Sequence, residues 1–438
     1  MRPKVLIITY YWPPTGGSGV QRWVKFAKYL RNFGWEPVIY TPSNPEMPAK
    51  DESLLKDIPK DIEVVKQPIW EPHDLYKRFS GLKKEASLGA GMASESSGSG
   101  FKQKLAMWVR GNFFIPDARK FWIKPSVSFL INHLKDHPVD AIVSTGPPHS
   151  MHMIARGVKK ATQIPWIADF RDPWTNIDFI EELNLTTWGK ASHAQMEKSV
   201  LTEATEVVAV TPTMAKELGA IVNRTVHVVT NGFDENDFQQ SVSSNPHTGF
   251  TLLHIGTMNK ARNPEMLWEA IKELCDEHSG FKEAFKLRLI GRIDSAVYAS
   301  VTKYELGSHV DLLDYIPHDK IISEQQNADA LLLLVNEAPN AYLLYQGKLF
   351  EYIASGRPIL TIGPKQGDTK ELLKELGQQT YANFNDKESL KRHLLKLYHD
   401  YEQGVLKGVA LTDSTRFSRK KLTQDMAGVL NKALSRQQ

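Results

Sequence analysis

The stretch GKLFEYIASGRP (Gly347–Pro358) carries a cation and a carboxylate three residues apart, Lys348 and Glu351. In a helix that spacing projects both side chains from one face of the first turn. A lysine there can hold a diphosphate, and a carboxylate can accept two hydroxyl protons from a ribose diol. A second cation has a similar setting earlier in the chain. GTMNKARNPEM places Arg262 just ahead of a helix start, where Asn263 suits the N-cap and Pro264 the first helical position. A cation beside a helix N-terminus is unfavourable unless an anion lies between them, and a bound phosphate would resolve the conflict. Thr257 opens the same loop, directly after Gly256.

The N-terminal half offers a different set of groups. In TYYWPPTGGSGVQ, Gly16, Gly17 and Gly19 would let backbone approach a ligand at a helix N-terminus, where free N–H groups favour anions. The glycine spacing is not that of the dinucleotide fingerprint, and the next strand ends in YTPSN without an acidic ribose partner. No Gly-Lys-Ser/Thr follows, so it is not a P-loop either. STGPPHSMH and ADFRDPW then bring His149, Asp169, Arg171, Asp172 and Trp174 to two adjacent strand ends. His149, Arg171 and Asp172 are the catalytic candidates on this wall.

Several chemistries are excluded. Cys275 is the only cysteine, so neither an internal disulfide nor a Cys-rich zinc site can form. No Asp-X-Asp pair, HEXXH or GXSXG occurs, and no metal is expected.

These residues need strand ends and helix starts to hold them, and the chain supplies both in alternation. KVLIIT, EPVIYT, IEVVK, DAIVST, PWIADF, EVVAVT and VHVVT read as strands of a first domain. TLLHIG, FKLRLIG, HVDLLD, ADALLLLV and RPILTIG form a second series. Between the first two strands, Val20, Trp23, Val24, Ala27 and Leu30 follow helical spacing, and Gly34 closes the helix. Apolar strands alternating with helices indicate α/β architecture with doubly wound parallel sheets. The expected division is residues 1–235, with a mobile loop at about 85–100, residues 236–412, and a last helix in 413–438 that could pack across the domains. The polar, turn-rich Asn231–Gly249 is the expected linker.

A formal charge of +4 over 438 residues permits a basic patch but asks for no nucleic acid. No window approaches the roughly 20 apolar residues of a membrane span, and the run Val5–Thr9 is too short for a signal peptide. The chain is therefore expected to be cytoplasmic. The segment 101–125 interleaves Lys102, Lys104, Arg110, Arg119, Lys120 and Lys124 with six aromatics. Such a surface could meet an anionic membrane peripherally at the cytoplasmic face.

The order of these motifs resembles the GT-B glycosyltransferases, in particular glycosyltransferase family 4 (group 1). It rests on YYWPPTGGSGVQR, TNGFD, GTMNKARNPEM, HVDLLDYIPHDKI and KLFEYIASGRPIL, and spans essentially the whole chain. The resemblance implies two Rossmann-like domains facing a cleft, with the acceptor in the first and the donor in the second. It implies retaining transfer of a sugar from a nucleotide sugar, most simply a UDP- or GDP-sugar, which is a substrate and not a cofactor. By position, Glu351 would take the ribose hydroxyls, Arg262 and Lys348 the diphosphate, and Tyr315 with Ile316 the base. Gly16 and Gly17 would face the diphosphate, and Thr257 stands where the family often has arginine. Leu343 occupies a position where many members carry a second glutamate, so Glu337 or Asn340 would have to supply that contact. The expected acceptor is a glycan or a lipid-linked acceptor in surface polysaccharide or glycoconjugate assembly. A nucleotide-sugar epimerase of the same architecture and a non-catalytic sugar-nucleotide-binding protein are the alternative readings.

Overall fold

The computed structural model describes residues 2–47, 50–71, 101–177, 180–238, 248–314, 316 and 318–436. The loop expected at 85–100 and Tyr315 lie outside these. The chain forms two compact units: residues 1–230 together with 419–438, and residues 231–418.

The first unit is built on a sheet of seven strands, β1 (Lys4–Ile8), β2 (Glu36–Pro42), β3 (Glu63–Gln67), β4 (Ala141–Gly146), β5 (Trp166–Phe170), β6 (Glu206–Ala209) and β7 (His227–Val228). Their order is β3-β2-β1-β4-β5-β6-β7, and every pairing is parallel. These are the seven apolar runs of the sequence. β1, β4 and β5 are buried on both faces, which explains why they read as continuous apolar strings and not as alternating ones. The helix Ser18–Tyr29 lays Val20, Trp23, Val24 and Ala27 on the sheet at no more than 1% exposure. A short 3₁₀ turn extends it, and Gly34 ends it in the left-handed conformation at φ 85°, where a Cβ would be strained. The last helix, Arg419–Ser435, returns to this unit and closes the same core with Leu422, Met426, Leu430 and Ala433. Asn431 accepts a hydrogen bond from the Trp35 indole at 2.9 Å.

The second unit carries β8 (Phe250–Ile255), β9 (Phe285–Ile290), β10 (Val310–Leu313), β11 (Ala330–Leu334), β12 (Ile359–Gly363) and β13 (Tyr381–Asn383), in the order β10-β9-β8-β11-β12-β13, all parallel. Two apolar cores cover its two faces. Phe250 and Leu252 of β8 point into one, Leu253 and Ile255 into the other. β13 escapes a reading of the sequence because it is three residues long and has a single buried side chain, Ala382. Both sheets reverse direction of growth beside their first strand, β1/β4 and β8/β11. The carboxyl ends at such a switch point form the natural ligand crevice of an open α/β sheet.

Candidate functional site

In the second unit the loop after β8 turns through Gly256 and Thr257 into a 3₁₀ turn, Lys260–Arg262, and then the helix Glu265–Glu277. Asn259, not Asn263, does the capping: its side chain accepts from the Arg262 N–H at 3.1 Å. Asn263 is held by Trp268 and Ser300, and Pro264 takes the N-cap position of the long helix, which no side chain caps. The tight turn matters because it aims Arg262. Its Nε donates to Asn336 Oδ1 at 2.5 Å and an Nη to the Thr257 carbonyl at 3.4 Å. Asn336 lies just past β11, so this guanidinium bridges the β8/β11 switch point.

Lys348 reaches the same spot from the other side. It is the N-cap of the short helix Leu349–Ser355, which Gly356 ends at φ 71°. Tyr352 of that helix accepts the Ile255 N–H at 3.0 Å and pins the helix to the end of β8. The Lys348 ammonium donates to the Ile255 carbonyl and to His254 Nε2, the latter at 3.3 Å. It lies so close to Gly256 that a Cβ there would sit 2.7 Å from Nζ. Burial, followed by the Arg262 charge, lowers the Lys348 pKa to about 7, with Glu351 opposing. Glu351 is partly buried and accepts from Gln325 Nε2 at 3.3 Å. Arg262, Lys348, Glu351 and Thr257 are thus gathered at one sheet edge. Leu343 is fully buried, Glu337 is exposed, and Ile316 packs beside the second core.

His254, Asn336 and Gln325 are additions that sequence reasoning did not name. His254 had a signal, a single polar residue inside the apolar run TLLHIG. Asn336 and Gln325 had none, because their partners are 74 and 26 residues away.

In the first unit, His149, Arg171 and Asp172 do converge at the ends of β4 and β5. His149 is buried and stacks on Trp174 with ring centroids 4.4 Å apart. Burial, then the neighbouring His152 and Arg171, keep it neutral by pulling its pKa well below the ordinary value. Arg171 donates to the carbonyls of Gly19 at 2.6 Å, Gly146 and Pro147, so it ties the glycine loop to the wall. A Cβ at Gly19 would strike that guanidinium at 2.7 Å. Asp172 is partly buried beside Arg171 and lends it a stabilising charge. Gly17 precedes the helix at φ 108° and is exposed, while Gly16 is buried. Asp169 is separate from this group: it is fully buried, paired with Arg22 at 2.8 Å, and also accepts from Trp23 and Thr145.

Two doubly wound parallel-sheet domains in tandem, with a cationic site at the second sheet's switch point, define the GT-B class. The chain belongs to the glycosyltransferases: residues 16–232 match the glycosyl transferase 4-like domain and residues 235–405 the glycosyl transferases group 1 domain. Solved structures with the same fold include a glycosyltransferase from Rickettsia africae ESF-5, at TM-score 0.66 and 14% identity over 99% of both chains. Sucrose-phosphate synthase from Thermosynechococcus elongatus aligns at TM-score 0.62 and 11% identity, over 99% of this chain and 100% of that one. WaaG, a glycosyltransferase involved in lipopolysaccharide biosynthesis, aligns at TM-score 0.53 and 15% identity over 98% of each. Comparison with the curated proteins gives no match.

Proposed function

We propose that this glycosyltransferase transfers a sugar from a nucleotide-sugar donor, a UDP- or GDP-sugar, with retention of configuration and without a metal. The observation that carries the reading is the pairing of Arg262 and Lys348 at the β8/β11 switch point with Glu351 one turn from Lys348. The two cations would meet the donor diphosphate, assisted by the uncapped helix at Glu265, and Glu351 would accept the ribose hydroxyls. The C1–O bond breaks and its electron pair leaves on the nucleoside diphosphate, whose growing charge Arg262 and Lys348 stabilise. The acceptor hydroxyl oxygen attacks C1 from the face the diphosphate is leaving, and its proton passes to a donor phosphate oxygen. No protein nucleophile is needed. His149, with Arg171 and Asp172, serves the acceptor side.

A panel of UDP-, GDP- and ADP-sugars, scored for melting shift and then for nucleoside diphosphate release in EDTA, tests this. One donor should both stabilise and turn over slowly to water. Sugar isomerisation without release would indicate an epimerase, and stabilisation without product a sensor. With the productive donor, Glu351→Ala should raise KM about tenfold or more, since two charge-assisted hydrogen bonds are lost. An unchanged KM would contradict the ribose assignment.

The acceptor we assign is a glycan or lipid-linked glycan in surface-polysaccharide assembly, met at an anionic membrane surface. Support comes from Trp70, Phe113 and Phe121, exposed at 64%, 57% and 42%, with Trp70 and Phe121 edge to face at 5.0 Å. Lys104 and Lys124 are exposed, and Lys120 lies 5.3 Å from the Phe121 ring centre. Arg119 leaves this set: it is buried against Glu71 at 2.9 Å and Tyr10. Among the described residues no helix is long and apolar enough to cross a membrane. Co-sedimentation with phosphatidylglycerol vesicles should weaken about tenfold or more in the Lys120→Gln/Lys124→Gln variant, at about 1 kcal/mol per lysine. Equal binding to phosphatidylcholine vesicles would count against the surface.

A further inference from the structure

His254 is fully buried in the middle of the second sheet, yet it faces a lysine. Its two ring nitrogens have unequal neighbours. Nδ1 lies 2.9 Å from the Leu332 carbonyl on β11, which can only accept, so Nδ1 carries the proton. Nε2 lies 3.3 Å from the Lys348 ammonium, which can only donate, so Nε2 presents a bare lone pair. The imidazole is therefore fixed in one neutral tautomer by its two partners. A proton on Nε2 would set N–H against N–H. Burial, with the Lys348 charge next, works in the same direction and pulls His254 well below its ordinary pKa.

Lys348 gains an unusual grip from this. Two of its three N–H groups are taken by His254 and the Ile255 carbonyl, and Gly256 lacks the Cβ that would push the ammonium away. One N–H is left uncommitted among the described residues. It belongs to the group that, with Arg262, occupies the switch point. A long, flexible side chain is thereby held in one place before any ligand arrives, which lowers the ordering cost of binding. The charged groups acting on the ammonium are Arg262 and Glu351.

We propose that His254 is a positioning residue for the donor diphosphate: as the Nδ1–H tautomer it holds the Lys348 ammonium at the end of β8, oriented toward the phosphates. The inference rests on the donor-site reading above and adds a specific residue to it. His254 touches no substrate. It acts through Lys348, and that dependence can be measured.

The test is titration calorimetry of UDP and GDP, with uridine and guanosine as controls, on wild type, His254→Leu, His254→Gln, Lys348→Met and the Leu/Met double variant. His254→Leu should weaken whichever diphosphate binds by about tenfold and leave its nucleoside unchanged. His254→Gln, whose amide can donate to Leu332 and accept from Lys348, should recover most of the loss. The double variant should bind no worse than Lys348→Met alone, because His254 acts only through the lysine. Additive losses, or full diphosphate affinity in His254→Leu, would overturn the proposal while leaving the donor site standing. If Lys348→Met itself binds the diphosphate normally, the donor-site reading falls instead. Should His254→Leu fail to fold, ¹⁵N-histidine spectra of wild type decide. The expected result is an Nδ1–H tautomer whose Nε2 resonance moves with UDP or GDP but not with the nucleoside. An Nε2–H tautomer, or an unmoved resonance, would overturn the role.

Discussion

Lys348→Met is expected to lower kcat/KM for the productive donor by about 10²–10³-fold, the usual consequence of removing one preorganised group from a developing charge. Methionine keeps the length and apolar stem of the side chain, so the helix Leu349–Ser355 and its Tyr352 anchor should persist. The loss should appear in kcat as well as KM, because leaving-group charge is greatest in the transition state. A pH signature accompanies it. Free Lys348 is held near 7 by burial and by Arg262, so donor binding finds it cationic below about 7 and increasingly neutral above. A bound diphosphate favours the cation and raises its pKa. Donor affinity should therefore be level below about pH 7 and decline as pH rises beyond it. Steady-state kinetics from pH 5.5 to 9 should show this decline in wild type and its disappearance in Lys348→Met. A variant with wild-type kcat/KM would remove Lys348 from the chemistry.

The second large effect concerns stability. Asp169 and Arg22 form an ion pair with both side chains essentially inaccessible, and Arg22 also donates to the carbonyls of Val229 and Thr230. Asp169→Asn preserves shape and removes the charge, leaving a buried guanidinium uncompensated at a cost of about 3–5 kcal/mol. Denaturant unfolding should show the first unit losing stability by that amount. Arg22→Leu/Asp169→Leu should recover only a part: replacing both charges removes the desolvation cost, but the Val229 and Thr230 carbonyls then lose their donor and the Trp23 indole and Thr145 hydroxyl their acceptor. The pH dependence follows the same pair. Burial alone would raise the Asp169 carboxyl, but Arg22, Trp23 and Thr145 outweigh it and hold the pKa below the usual carboxylate value. A depressed folded-state pKa gives stability that is fully present above the unfolded value, near 3.9, and lost as pH falls through the folded one. Wild type should therefore lose in acid a contribution that Asp169→Asn never had. Equal stability of wild type and variant at pH 7 would contradict the pair's role.

Much of this architecture is legible in the sequence because it depends on local patterns. The strands are apolar runs buried on both faces, and Gly34 and Gly356 mark helix ends by their left-handed backbone. Arg262 stands out because a cation next to a helix start invites an anion, and Lys348 and Glu351 because a cation and a carboxylate three residues apart share one face of a first turn. What distant contacts decide was not legible. His254 and Lys348 are 94 residues apart, and Arg22 and Asp169 are 147 apart. Asp169 and Arg171 looked alike in ADFRDPW, yet β5 ends between them at Phe170: Asp169, inside the strand, is buried against Arg22, and Arg171, in the turn beyond it, reaches the loop carbonyls. Arg119 looked like a surface cation, and Glu71 and Tyr10 bury it. Asn263 read as a cap because its spacing fits, but the 3₁₀ turn before it shifts the helix start by one residue.

In the proposed function the donor nucleotide binds at the β8/β11 switch point of the second unit. Hydrogen exchange on the intact chain, with and without the nucleoside diphosphate selected by the donor panel, tests it most directly. Slowed exchange is expected in residues 256–267 and 347–353, reduced in both segments by Lys348→Met. Protection confined to residues 1–230, or none at a concentration that raises the melting temperature, would contradict it.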